Sequence, residues 1–240
     1  PMTMTFVLDL SESMLCNLDE IKEVMLKLHA DAYRCRDKVG IVAFKEMGAV
    51  VVQHPTTNLK LVSNKLMRLR MSGYTPLAAG MQKALTVLRE CKRRDPSTIP
   101  VMVIVTDGEA NVPLKRDLHT GDVRVIDRLP AAFFKFEDEA IKDVLSVSEL
   151  MKKDGIFTVV VNTLQASPNR GPNLNAITTQ MIASITGGLY YEISGGVMRE
   201  EAASLGSVSE AVLKAQKSIH NLHYLSARAY LAYGSRLKSG

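Results

Sequence analysis

The sequence predicts a three-layer, doubly wound α/β domain with a mainly parallel sheet and one antiparallel edge strand. Three observations predict it. Apolar runs of strand length alternate along the chain with segments of helical spacing. Several of these runs are apolar at consecutive positions, as strands buried on both faces are. One pair of runs, 39–44 and 49–53, is separated by four residues, enough for a hairpin and too few for a parallel crossover.

The elements follow in order. Residues 4–10 (MTFVLDL) read as a buried strand ending in an acid. Residues 18–33 read as a helix, with Ile21, Val24, Met25, Leu28 and Ala32 at helical spacing. Residues 39–44 (VGIVAF) and 49–53 (AVVVQ) are the hairpin pair. Residues 59–69 and 77–91 read as helices, and 101–106 (VMVIVT) as a buried strand ending at Asp107. Residues 111–136 mix charge, two prolines and Gly121 without periodicity, and read as a long insertion. Then come a helix over 137–153, a strand over 156–162, a helix over 175–184 stopped by Gly187 and Gly188, and a last strand over 189–193. The domain is expected over 1–196. A helical extension over 197–240 carries an apolar stripe from Val208 to Tyr233 at spacings of four and three.

Composition narrows the function classes. Hydrophobic residues at 46% with a net charge of +5 exclude a disordered chain. No apolar run reaches the roughly 20 residues of a membrane-spanning helix. The segment 207–240 is net +4, so the remainder is nearly neutral. With no Trp and 5% aromatics, there is no basic, aromatic-studded surface for nucleic acid. Cys16, Cys35 and Cys91 are widely spaced and odd in number, which fits free thiols in a reducing cytoplasm. Asp9 interrupts the first apolar run, so no signal peptide is read. A start at Pro1 running almost directly into a strand suggests a domain cut from a longer polypeptide.

In doubly wound sheets, ligands bind beyond the carboxyl ends of the strands. Two such ends carry acids here, Asp9 and Asp107. Ser11 and Ser13 follow Asp9 at alternate positions, and Thr75 sits in a loop entering a helix. Singly, Asp9 could cap a helix and the serines could be turn residues. Together they form an all-oxygen donor set that suits Mg²⁺, with Mn²⁺ able to substitute. His220 and His223 are spaced as residues that could share a helix face but lack a third ligand in sequence, and Lys92, Arg93 and Arg94 complement a helix dipole.

This set of Asp9, Ser11 and Ser13, then Thr75, then Asp107 resembles the metal-ion-dependent adhesion site of von Willebrand factor type A domains. Glu12 departs from the pattern, since many members carry Gly there. The connecting segments 31–44, 73–80 (GYTPLAAG), 105–111 (VTDGEAN) and 183–191 (ASITGGLYY) resemble the C-terminal domain of magnesium chelatase D subunits. That resemblance implies a Mg²⁺-dependent protein-interaction domain with no catalysis of its own. Its partner would be an AAA+ ATPase subunit, docked by an acidic residue that completes the metal site. The complex would insert magnesium, or cobalt, into a tetrapyrrole at the expense of ATP.

Two other readings compete. The domain could be a stand-alone adaptor for another AAA+ ATPase. It could also be a Mg²⁺-dependent phosphotransferase with Asp9 as nucleophile, although such sites usually place a second acid where Ser11 stands. No P-loop, dinucleotide-binding glycine motif or nucleophile elbow occurs in the sequence.

Overall fold

A computed structural model describes residues 2–11, 37–45, 48–66, 73–116, 123–125, 137–163 and 174–192. Its elements are β1 (Met2–Asp9), β2 (Lys38–Lys45), β3 (Gly48–Thr56), α1 (Leu59–Leu66), α2 (Leu77–Arg94), β4 (Ile99–Thr106), β5 (Leu114–Arg116), β6 (Val123–Val125), α3 (Glu137–Lys153), β7 (Phe157–Asn162), α4 (Leu174–Thr186) and β8 (Leu189–Glu192). The predicted helix at 18–33, the boundary at 196 and the extension at 197–240 lie outside the described residues.

Six strands form one sheet in the order β3-β2-β1-β4-β7-β8. β1 pairs in parallel with β2 and β4, β4 with β7, and β7 with β8. β3 runs antiparallel to β2 at the edge, with register shifts around Ile41. The expected architecture is therefore observed. The continuous apolar runs have their expected cause, because all eight residues of β1 are buried. Val7, Val42, Met102, Ile104 and Val160 face a core completed by α2, α3 and α4. The alternate residues Phe6, Leu8, Ile41, Val103, Val105, Val159 and Val161 are equally buried on the other face. Each such side chain contributes roughly 1.5–3 kcal/mol by leaving water.

The long helix α2 brings its amino end to the carboxyl end of the sheet. It packs tightly there because Gly80 lies against the Phe44 ring, where a Cβ would stand 2.4 Å from Cδ1. Leu77, Met81, Leu85 and Leu88 repeat at spacings of four and three on its buried face. α4 ends as expected: the Gly187 N–H bonds the Ser184 carbonyl and the Gly188 N–H bonds the Ala183 carbonyl.

Several boundaries and one element differ from expectation; β1 starts at Met2, β3 runs on to Thr56 and β4 starts at Ile99. α2 continues to Arg94 rather than stopping at Cys91. β7 begins at Phe157, since the Ile156 N–H is spent on the Met151 carbonyl at the end of α3. The insertion contains an antiparallel hairpin, β5–β6, with Leu114 opposite Val125. Its strands are three residues long, too short to show a period of two.

Candidate functional site

The register of the central strands brings two acids to one place. β1 and β4 are neighbours with Leu8 level with Val105, so Asp9 and Thr106 come next, and Asp107 lies just beyond. Asp9 is wholly buried. Its Oδ1 accepts the Ser11 N–H at 2.9 Å and its Oδ2 accepts the Thr106 hydroxyl at 2.8 Å. The Thr106 Oγ1 in turn accepts the Gly108 N–H at 3.1 Å. Asp107 Oδ1 accepts the Glu109 N–H at 3.0 Å. Gly108 has φ +84°, and a Cβ there would stand 2.1 Å from the Asn175 carbonyl oxygen in the first turn of α4. Only glycine satisfies both the left-handed backbone and the close approach.

Thr75 joins this assembly through a residue 36 positions away. Its N–H donates to Asn111 Oδ1 at 2.9 Å. Its carbonyl accepts the N–H groups of Asn111 at 3.4 Å and Leu77 at 2.9 Å. Thr75 is fully buried, yet its Oγ1 has no hydrogen-bond partner. Leaving a buried hydroxyl unpaired costs about 1–3 kcal/mol, so such an atom calls for a ligand.

The electrostatics point the same way. Burial pushes the Asp9 carboxyl up to about 7, and the neighbouring Asp107 adds to the rise. Hydrogen bonds from Ser11 and Thr106 oppose it without cancelling it. A buried acid pushed up by desolvation and by a neighbouring carboxylate would be relieved by a cation. Among the described residues, no group of three His, Cys, Asp or Glu side chains could hold a metal. An ion here would therefore depend on hydroxyl donors such as the unpaired Thr75 Oγ1.

Of the five residues singled out in the sequence, the structure describes Asp9, Ser11, Thr75 and Asp107 at this end of the sheet. Ser13 lies outside the described residues, as does Glu12. Sequence reasoning assigned no role to Thr106 or Asn111. Both fall within the stretch 105–111 that carries the family resemblance, which was the available signal.

Comparison with known proteins agrees with this fold. Residues 4–109 match the model of the von Willebrand factor type A domain. An uncharacterized protein of Mycobacterium tuberculosis is 35% identical over 107 residues, covering 44% of this chain and 17% of that protein. The magnesium-chelatase 67 kDa subunit of Chlorobaculum parvum is 28% identical over 167 residues, covering 69% of this chain and 25% of the subunit. The chain thus spans a quarter or less of the length of these two relatives. The solved von Willebrand factor type A domain of SpRpn10 superposes with a TM-score of 0.56 at 12% identity, covering 82% of this chain and 90% of that one. A likeness at that identity establishes the fold alone. Among the described residues, no helix is long and apolar enough to cross a membrane. The fold is that of a von Willebrand factor type A domain, the model that residues 4–109 match, and magnesium-chelatase subunits are among the proteins this chain is similar to.

Proposed function

We propose that this von Willebrand factor type A domain holds Mg²⁺, replaceable by Mn²⁺, through Asp9, Ser11, Ser13, Thr75 and Asp107, and uses the ion to dock a protein partner. The observation that carries the reading is the buried Thr75 hydroxyl without a partner, tied to the loop of an acid that faces a second buried acid. The donor chemistry fits a hard cation that prefers oxygen ligands and near-octahedral geometry. The ion would bring two positive charges that two carboxylates only just balance, because the hydroxyl donors add none. An acidic side chain of the partner would then complete the coordination, in a partly dry setting where charge attraction is strong.

The partner in this reading is the AAA+ ATPase subunit of a metal chelatase, and the resemblance to magnesium-chelatase subunits supports that choice. The complex would insert magnesium or cobalt into a tetrapyrrole, so the inserted metal is cargo and the bound Mg²⁺ is resident. The chain's own part is to bind and orient. Thr106 and the Ser11 N–H fix the Asp9 carboxylate, and the turn at Gly108 and Glu109 fixes Asp107.

Calorimetry with Mn²⁺ tests the ion. Asp107→Asn keeps the Oδ1 that accepts the Glu109 N–H and removes only the charge. It should weaken binding by about 100-fold or more, since disturbing even outer-shell partners costs 10–100-fold. Unchanged affinity would remove the site. Retention of the AAA+ subunit on the immobilised chain should be lost in chelator, and equal retention with and without Mg²⁺ would end the docking model.

A further inference from the structure

We propose that Asn111 is the positioning residue of this site, and that it sets metal affinity by aiming the Thr75 hydroxyl. The inference rests on the Mg²⁺ reading above. Thr75 has three polar atoms. The Asn111 side chain occupies its N–H, and the N–H groups of Asn111 and Leu77 occupy its carbonyl. Pro76, next in the chain, has no N–H to offer. The hydroxyl is therefore the polar atom of Thr75 left for a ligand.

Asn111 is itself held on both sides. Four residues before it, Asp107 Oδ1 accepts the Glu109 N–H at 3.0 Å. Three residues after it, the Leu114 N–H donates at 2.7 Å to Oδ2 of Asp143, a buried acid on α3. Val112 and Leu114 are buried between these anchors. The loop that delivers Asp107 thus carries a fixed amide oxygen, and that oxygen fixes Thr75 relative to Asp107. Side chains that orient ligands without touching the metal typically control its affinity 10–100-fold.

Mn²⁺ titration of the full chain tests this with Asn111→Ala, Asn111→Asp, Thr75→Ala and the double variant Thr75→Ala/Asn111→Ala. Asn111→Ala should weaken binding by about 10-fold or more. Asn111→Asp keeps an oxygen acceptor for the Thr75 N–H and should bind at least as tightly as the parent. In the Thr75→Ala background, Asn111→Ala should add less than about a two-fold loss, because its effect runs through the hydroxyl. A merely structural Asn111 would weaken both backgrounds alike. Full affinity in Asn111→Ala, an undiminished further loss in the double variant, or lost binding in Asn111→Asp would each overturn the proposal while leaving the metal site in place. A parent chain that takes up no Mn²⁺ would instead remove the metal reading itself, and this inference with it.

Discussion

The two ends of the sheet treat their acids in opposite ways. At the amino ends of the strands, two described acids lie beside a cation and a third accepts a backbone N–H. Asp37 accepts the Met2 N–H at 2.8 Å, Asp95 lies 3.9 Å from Lys38, and Asp154 pairs with Arg89. At the carboxyl ends, Asp9 and Asp107 face each other, and among the described residues neither pairs with Lys or Arg. The first end is a finished structure. The second carries uncompensated charge and an unpaired hydroxyl on rigid, buried elements, which a folded chain sustains when something binds there. The contrast teaches where to look for a ligand without any motif.

The largest expected effect is a pH dependence belonging to the carboxyl end. The Asp9 carboxyl stands at about 7 in the folded protein against an ordinary 3.8. Between those values the folded chain binds more protons than the unfolded one, so stability falls as pH rises through that window and levels off above it. The full difference is on the order of 4 kcal/mol. Urea unfolding in chelator at pH steps across the window should show this fall. Asp9→Asn should flatten it, and so should saturating Mg²⁺. An identical slope in the parent and in Asp9→Asn would erase the contrast between the two ends.

A pair of glycines sharpens the comparison at a smaller scale. Gly108, at the carboxyl end, has no room for a Cβ, whereas a Cβ on Gly155, at the amino end, would meet nothing within 4 Å. Both have positive φ, +84° and +63°. Gly155→Ala should cost about 1–2 kcal/mol, the left-handed penalty alone. Gly108→Ala adds a collision with the backbone of α4 and should cost about 3 kcal/mol or more. Thermal midpoints of the two variants check this, and equal losses would mean that α4 does not press on the Gly108 turn.

How much of this was legible beforehand depended on the range of the interactions. The central strands could be read because β1, β4 and β7 are buried on both faces and so are apolar throughout. Asp9, Thr75 and Asp107 could be picked out because acids and hydroxyls at strand and helix ends stand out in a short window. The hairpin β5–β6 could not, since three-residue strands hold less than two full periods. Nor could the roles of Thr106 and Asn111. One follows from the register between β1 and β4, the other from a bond across 36 residues, and the family-like stretch 105–111 that holds both does not say what either does. The end of α2 was misjudged for a similar reason. Its last turn is basic and exposed, and Lys92 is held there by the Thr98 carbonyl at 2.7 Å, a tertiary contact.

The smallest effect belongs to the finished end and acts as the control. Arg89 and Asp154 tie the last turns of α2 to the α3–β7 connection, but their side chains are 46% and 28% exposed. Water and salt screen such a pair, and holding two flexible side chains in one geometry costs entropy, so its net worth is about 1 kcal/mol or less. Arg89→Ala should therefore lower the thermal midpoint by only about 2–4 °C at low salt, and by less at high salt. It should leave Mn²⁺ affinity unchanged, because the substitution lies near the far end of α2 from Thr75 and touches none of the bonds that hold Asp9, Asp107 or Asn111. Calorimetry on this variant beside Asp107→Asn reads both ends of the sheet in one assay. A drop in affinity for Arg89→Ala would mean that α2 transmits strain along its length, and that the two ends are not independent.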